Sequence, residues 1–147
     1  MALDLVLAIV HHIFVFGLFG ILFAEFFAVR PGLSPQAIAR LATLDLFYGL
    51  SAGIIIVVGF LRAIFAAKGW AYYEHNLFFW AKIGTFAAIG ILSVPPTLAY
   101  LHWRRVDMTP ADPDVKRVRF YLHLQLALFP LLLICAAAMA RGYGEIG

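Results

Sequence analysis

Ionisable residues are scarce in this chain, and their placement decides what chemistry it can do. His11, His12, Glu25, Asp45, Arg62, Lys82, His123 and Arg141 stand inside, or at the edge of, long apolar runs. A charge at bilayer depth costs at least about 2.5–3.5 kcal/mol, so such a group is expected to face the protein interior and to have a partner or a purpose. Imidazole is the commonest metal ligand and exchanges protons near neutrality. Buried Arg and Lys take carboxylates and other anions, and membrane acids mark proton or cation paths.

Helical spacing sorts these residues into stripes. His11, Leu18 and Glu25 recur at intervals of seven and share a face, with His12 turned about 100° away. Asp45, Gly49, Ala52, Ile56 and Gly59 make a second stripe, flanked by Arg62. Lys82, Thr85, Ile89, Ser93 and Pro96 make a third, and His123, Ala127, Pro130, Ile134 and Arg141 a fourth. Depth then separates two layers: His11, Arg62 and Lys82 near one boundary, Glu25, Asp45 and His123 near the other.

A layer of His, Arg and Lys without an acid calls for an anion or a metal. Haem b answers both needs, its iron taking His11 and its propionates taking Arg62 and Lys82, with Arg141 at the same end. A second axial position falls to His12, to Lys82 as a neutral amine, or to nothing. The acidic layer supports a different function: Glu25, Asp45 and His123 as a proton or ion path. Plainer readings stand beside both. Lys82 and Arg62 have stems long enough to snorkel to the interface, His75 and His102 read as interfacial, and His123 paired with Asp45 or Glu25 would serve as a structural clamp as well as a relay.

The elements that must position these groups are legible in composition. Of 147 residues, 64% are hydrophobic and 13% charged, against about 45–50% and 25% in a soluble domain. The expected fold is an all-α membrane protein, a single domain over residues 1–147 forming an up-down-up-down bundle of four transmembrane helices. The spans are expected at about 3–29, 43–67, 76–103 and 119–140. Arg30-Pro31-Gly32 stops the first helix, and Ser34-Pro35 starts the second. Lys68-Gly69-Trp70 marks the next turn, Pro95-Pro96 should kink the third span, and Thr109–Pro113 precedes the fourth. No cleavable signal is expected from the N-terminal region, which carries Asp4 and no Lys or Arg ahead of its apolar run. Cys135 is the only cysteine, so soft-metal ligation is poorly supplied.

Arg30, Arg40, Arg104, Arg105, Lys116, Arg117 and Arg119 collect at one side, against Arg62, Lys68 and Arg141 at the other. Excess Lys and Arg marks the cytoplasmic face, so both termini are expected outside, on the periplasmic side of a bacterial inner membrane. Trp70, Tyr72, Tyr73 and Trp80 on one side, with Tyr100 and Trp103 on the other, suit aromatic belts. A net charge of +3 is too small to suggest nucleic acid. The lipid bilayer is the first expected partner, and anionic lipid accounts for the basic loops.

Gly59-Phe60-Leu61-Arg62, Lys68-Gly69-Trp70 with Tyr73, Asn76, Phe79-Trp80-Ala81-Lys82 and Leu92-Ser93-Val94-Pro95-Pro96-Thr97, together with His11-His12 and Glu25, span the chain. In these the sequence resembles the bacterial membrane-protein family labelled domain of unknown function 2214. More distantly, His11 to Val15 and Trp80-Ala81-Lys82 resemble the short membrane protoporphyrinogen oxidases and the wider CopD-like group. That likeness implies haem binding at His11 and a role for Lys82. The oxidases' Leu-Pro-Arg motif is absent, with Glu25 and Phe27 in that neighbourhood, which weighs against oxidase activity more than against haem.

The leading expectation is therefore a haem b-binding membrane module passing electrons to or from quinone or a porphyrin, an oxidoreductase if it is an enzyme. The competing expectations are a small oligomeric ion- or proton-coupled transporter and a non-catalytic subunit of a larger membrane complex. Gly49 to Gly53, or Gly17 with Gly20, would supply close helix contacts in a homo-oligomer or complex.

Overall fold

A computed structural model describes residues 2–65 and 68–146. It contains α1 (Ala2–Ala28), α2 (Pro35–Phe65), the short α3 (Gly69–Glu74), α4 (Leu77–Val106) and α5 (Asp112–Ala140). The four long helices have 27 to 31 residues each, about 40–47 Å at 1.5 Å per residue. That exceeds the roughly 30 Å of bilayer hydrocarbon. All four are long and apolar enough to cross a membrane.

Local chemistry sets the helix ends. α1 stops before Arg30-Pro31, and Gly32 takes the left-handed φ of +80° that the turn requires. Ser34 caps α2, its Oγ accepting the Ala37 amide at 3.2 Å. Asn76, fully buried, caps α4 by accepting from the Phe78 and Phe79 amides at 3.0 and 3.3 Å. Lys68-Gly69-Trp70 opens α3 rather than a bare turn. The expected end of the second span at Ala67 lies outside the described residues.

The helices alternate in direction, and each long helix packs against two others: α1 on α2 and α5, α4 on α2 and α5. The closest packing is within two hairpins, α1/α2 and α4/α5, which then face each other. One end of the bundle, the terminal end, carries the chain termini and α3; the other, the loop end, carries the 29–34 and 107–111 turns. The core runs through Leu18, Leu22, Tyr48, Ile55, Ile89, Tyr100, Leu122 and Phe129. Ile13, Phe16, Leu50, Ile91 and Leu98 are exposed on the outside, a surface that suits hydrocarbon and would be costly in water.

At the terminal end the C-terminal tail folds back across the α3–α4 turn. Leu77 N donates to Gly144 O and Ile146 N to His75 O, both at 2.8 Å. Asn76 Nδ2 adds a bond to Tyr143 O at 3.0 Å. At the loop end Arg119 does what a cation should do at a helix C-terminus. Its Nη1 donates to the Phe26 and Val29 carbonyls at 2.8 and 2.6 Å, while its guanidinium lies 4.5 Å from the centre of the Phe26 ring.

Several stripes need correction. The face that α5 buries is Leu122, Gln125, Phe129, Leu132 and Cys135; His123, Ala127, Pro130, Ile134 and Arg141 are exposed. The reason is that α5 packs by its bulky apolar residues, and the polar stripe is rotated away from that seam. On α2 the inward face is Tyr48, Ile55 and Val58, which leaves Gly49 and Gly53 exposed and Asp45 and Gly59 half-buried. Tyr100 (0% exposed) and Trp103 (4%) are core residues rather than interfacial ones. The α1 and α4 stripes match, with Leu18, Glu25, Thr85, Ile89 and Pro96 buried.

Candidate functional site

The two hairpins part at the terminal end and enclose a cleft of about 300 Å³ lined from all four long helices. That is the lower end of the range for small-molecule pockets. Leu18, Ile55, Phe79 and Phe129, all buried, form its closed side. Exposed Phe16, Ile56, Phe60 and Leu133 flank its mouth. His11, His12 and Lys82 are its polar wall residues.

His11 on α1 sits against Gly59 of α2. A Cβ at Gly59 would stand 3.6 Å from His11 Cε1 and 3.8 Å from Nδ1, so the glycine leaves room for the ring. His11 Nδ1 and Arg62 Nε are buried without a hydrogen-bond partner, a state that normally calls for something to meet them. Arg62 and Lys82 are both within electrostatic reach of His11. Lys82 reaches in from α4, the helix diagonally across from α1, its Nζ 5.5 Å from the centre of the Phe79 ring. The expected layer of His11, Arg62 and Lys82 is thus gathered at one end of the bundle.

The remaining candidates divide. His12 lies on the rim, exposed, with Nδ1 2.7 Å from the Ala8 carbonyl oxygen of its own helix. Arg141 is exposed at the end of α5 and is not part of the cleft wall. His123 is also exposed, its ring near Phe26 on the outside of the α1/α5 seam, and so stands apart from the acids it was expected to join.

Those acids lie in the loop half. Glu25 (2% exposed) accepts from Tyr100 Oη at 3.2 Å through Oε2, while its Oε1 is buried without a partner. Asp45 lies within electrostatic reach of Glu25. Beside them Tyr48 Oη donates to Gln125 Oε1 at 2.9 Å. The Glu25–Tyr100 and Tyr48–Gln125 bonds link diagonal helices, α1 to α4 and α2 to α5. Gln125 also turns its amide to the Leu92 carbonyl at 3.2 Å. Leu92 is four residues before Pro96, which has no amide hydrogen to offer it; the side chain of α5 supplies the donor that α4 lacks.

Tyr48 and Gln125 had no place among the expected site residues. A signal for Gln125 existed: it falls on the spacing of Leu122, Phe129 and Leu132 and is the one polar member of that face. Among the described residues no three His, Cys, Asp or Glu side chains converge as a metal site.

A haem can be tested against these residues. The apolar slot between hairpins, the unpartnered His11 and the two cations Arg62 and Lys82 match it in kind: imidazole for iron, cations for carboxylates. The cleft volume admits part of a macrocycle, the rest standing in the open mouth between the exposed aromatic residues. The donor set fits, with a half-open seat.

Neither a curated protein nor a solved structure matches the chain. The model of the family described as predicted membrane protein (DUF2214) matches residues 3–144. With four apolar helices of spanning length and a match over nearly its whole length, the chain is a multi-pass membrane protein and belongs to the DUF2214 family.

Proposed function

We propose that this chain is a haem b-binding module of the bacterial inner membrane, with the cleft at the terminal end as its seat. The observation that carries this reading is the buried, unpartnered Nδ1 of His11 in the wall of an apolar cleft whose other polar wall residues are Lys82 and the rim residue His12, with Arg62 within electrostatic reach of His11. His11 would hold the iron, and Arg62 and Lys82 would neutralise the propionates. Bound haem would supply one-electron chemistry, with quinone or a porphyrin as exchange partner. The chain's own part is to fix the imidazole against Gly59, to keep water out with Leu18, Ile55 and Phe129, and to place positive charge where carboxylates would stand.

The charge distribution supports an orientation in which the loop end, with Arg30, Arg40, Arg104, Arg105, Lys116 and Arg117 exposed, faces the cytoplasm. The cleft then opens near the outer leaflet. Protein purified from haem-replete cells is expected to show a Soret band that His11→Ala removes and Arg62→Ala weakens. A colourless preparation, or a band that survives His11→Ala unchanged, refutes the proposal.

A further inference from the structure

His12 is the one polar wall residue of the cleft to which the haem reading gives no task. Its ring is exposed and lines the rim. α1 runs from Ala2 to Ala28, so its middle residue is Val15 and His12 lies about 4.5 Å from the centre of the span. Half the hydrocarbon thickness is about 15 Å. The ring therefore stands well inside it, on a side chain too short to reach the surface as a lysine does. Its helix neighbours Ile9, Ile13 and Phe16 are exposed apolar residues, as a lipid-facing position requires.

One hydrogen bond fixes what this imidazole has to offer. Nδ1 is 2.7 Å from the Ala8 carbonyl oxygen. A carbonyl oxygen only accepts, so Nδ1 carries the proton and donates it. In the neutral ring Nε2 is then left with a lone pair and no hydrogen. Among the described residues no donor reaches Nε2 and no acid pairs with the ring, the only ion pair being His75 with Glu74. Hydrocarbon holds no water to meet a bare acceptor, and leaving one there is costly. Phospholipid headgroups do not meet it either, since they stay at the surface, about 10 Å away.

We infer that His12 anchors a lipid-dissolved hydroquinone at the rim of the cleft, a phenolic hydroxyl donating to Nε2 and the ring lying against Phe16. His12 and Phe16 stand one turn apart on α1 and both line the cleft. Phe16 is exposed and offers an aromatic face for stacking, and exposed Leu133 of α5 adds an apolar lip. A hydroquinone is the class that fits, because its apolar tail keeps it in the bilayer while its hydroxyls bring a donor to this depth. The oxidised quinone has carbonyl oxygens in their place and nothing to donate, so the lone pair of Nε2 selects the reduced form. This names the exchange partner of the proposed function and rests on that reading for its purpose. The binding itself needs no haem, since His11, Arg62 and Lys82 take no part in it.

The test uses the full chain in phospholipid nanodiscs, with decylubiquinol kept reduced under argon as probe and decylubiquinone as its oxidised counterpart. Nitrogen-15 NMR of histidine-labelled protein follows the titration. Saturable binding is expected, with an upfield shift of one unprotonated ring nitrogen whose signal is missing in His12→Phe. Decylubiquinol should bind about five- to tenfold more tightly than decylubiquinone, the worth of one hydrogen bond. His12→Phe keeps a ring but removes the acceptor, and should abolish that preference. The shift in the unaltered protein serves as readout even where the variant fails to fold. Absence of saturable binding overturns the inference, as do equal affinity for the two forms and a preference that survives His12→Phe. Hydroquinone bound in this way by a protein without a Soret band refutes the haem proposal alone. A Soret band lost in His11→Ala, with no hydroquinone site, refutes this inference alone.

Discussion

Gln125→Leu gives the sharpest test of how the bundle is held. Leucine preserves most of the volume, so the effect is polar. It removes the acceptor of the Tyr48 hydroxyl and the amide that serves the Leu92 carbonyl; Tyr48 is 5% exposed and Gln125 1%, so water does not replace either. In soluble proteins each orphaned buried group costs about 1–3 kcal/mol. In bilayers measured interhelical bonds average about 0.6 kcal/mol and reach about 1.7, because the unfolded helices also find partners. The membrane values govern here, and two interhelical bonds put the expected loss at about 1–3 kcal/mol. Pro96→Ala supplies the Leu92 carbonyl with an amide from its own helix. It should therefore recover part of the loss in the Gln125→Leu background and stabilise less in the unaltered chain, a coupling of about 0.6 kcal/mol or more in a double-mutant cycle. Unfolding by dodecyl sulfate in mixed micelles, followed by tryptophan fluorescence, measures all four proteins. A loss within the error of the titration, or a Pro96→Ala effect equal in both backgrounds, refutes the role assigned to Gln125.

Other predictions concern the ends of the helices. Arg119→Ala should cost about 1 kcal/mol by uncapping α1, and Arg119→Lys, which lacks the planar guanidinium over Phe26, should recover only part; the same unfolding assay reads both. Asn76→Ala should cost about 1–2 kcal/mol as a lost helix cap. Asn76→Asp should restore the cap but not the bond to Tyr143, so that hydrogen exchange at Leu77 and Ile146 stays fast. Gly144→Ala places a Cβ 2.5 Å from Phe78 Cδ2 at a φ of +85° and should detach the tail, exposing it to protease. Gly142→Ala, at a similar φ of +80° but in open space, should be the milder change.

The fold was legible because hydrophobic run length is nearly decisive for a spanning helix, and Ser34-Pro35 and Arg30-Pro31-Gly32 read as punctuation. The gathering of His11, Arg62 and Lys82 was legible too, since a charge near an apolar helix end has few directions to take. Rotation about the helix axis was harder. On α5 every face is apolar, so periodicity gave His123 no less claim to the interior than Gln125. The decision came from packing, where Phe129 and Leu132 fill the seam, and from the donor that Pro96 makes α4 need, a requirement visible only once α4 and α5 are side by side. Tyr100 was misplaced for a related reason: a tyrosine near a span end looks interfacial until its hydroxyl is found on Glu25.

The tail that pairs with residues 75–77 also decides which walls of the cleft are strapped at that end. α5 is clasped to the α3–α4 turn by Gly144 and Ile146, and α2 continues along the chain into that same turn. Among the described residues nothing reaches over to fasten α1 there, and its partners are α2 and α5 alone. The first half of α1 is therefore held at this end by its packing on α2 and α5 alone, while Arg119 ties down its far end. That half carries His11, so the position of the imidazole in the cleft wall rests on helix packing and not on any strap across the end of the bundle.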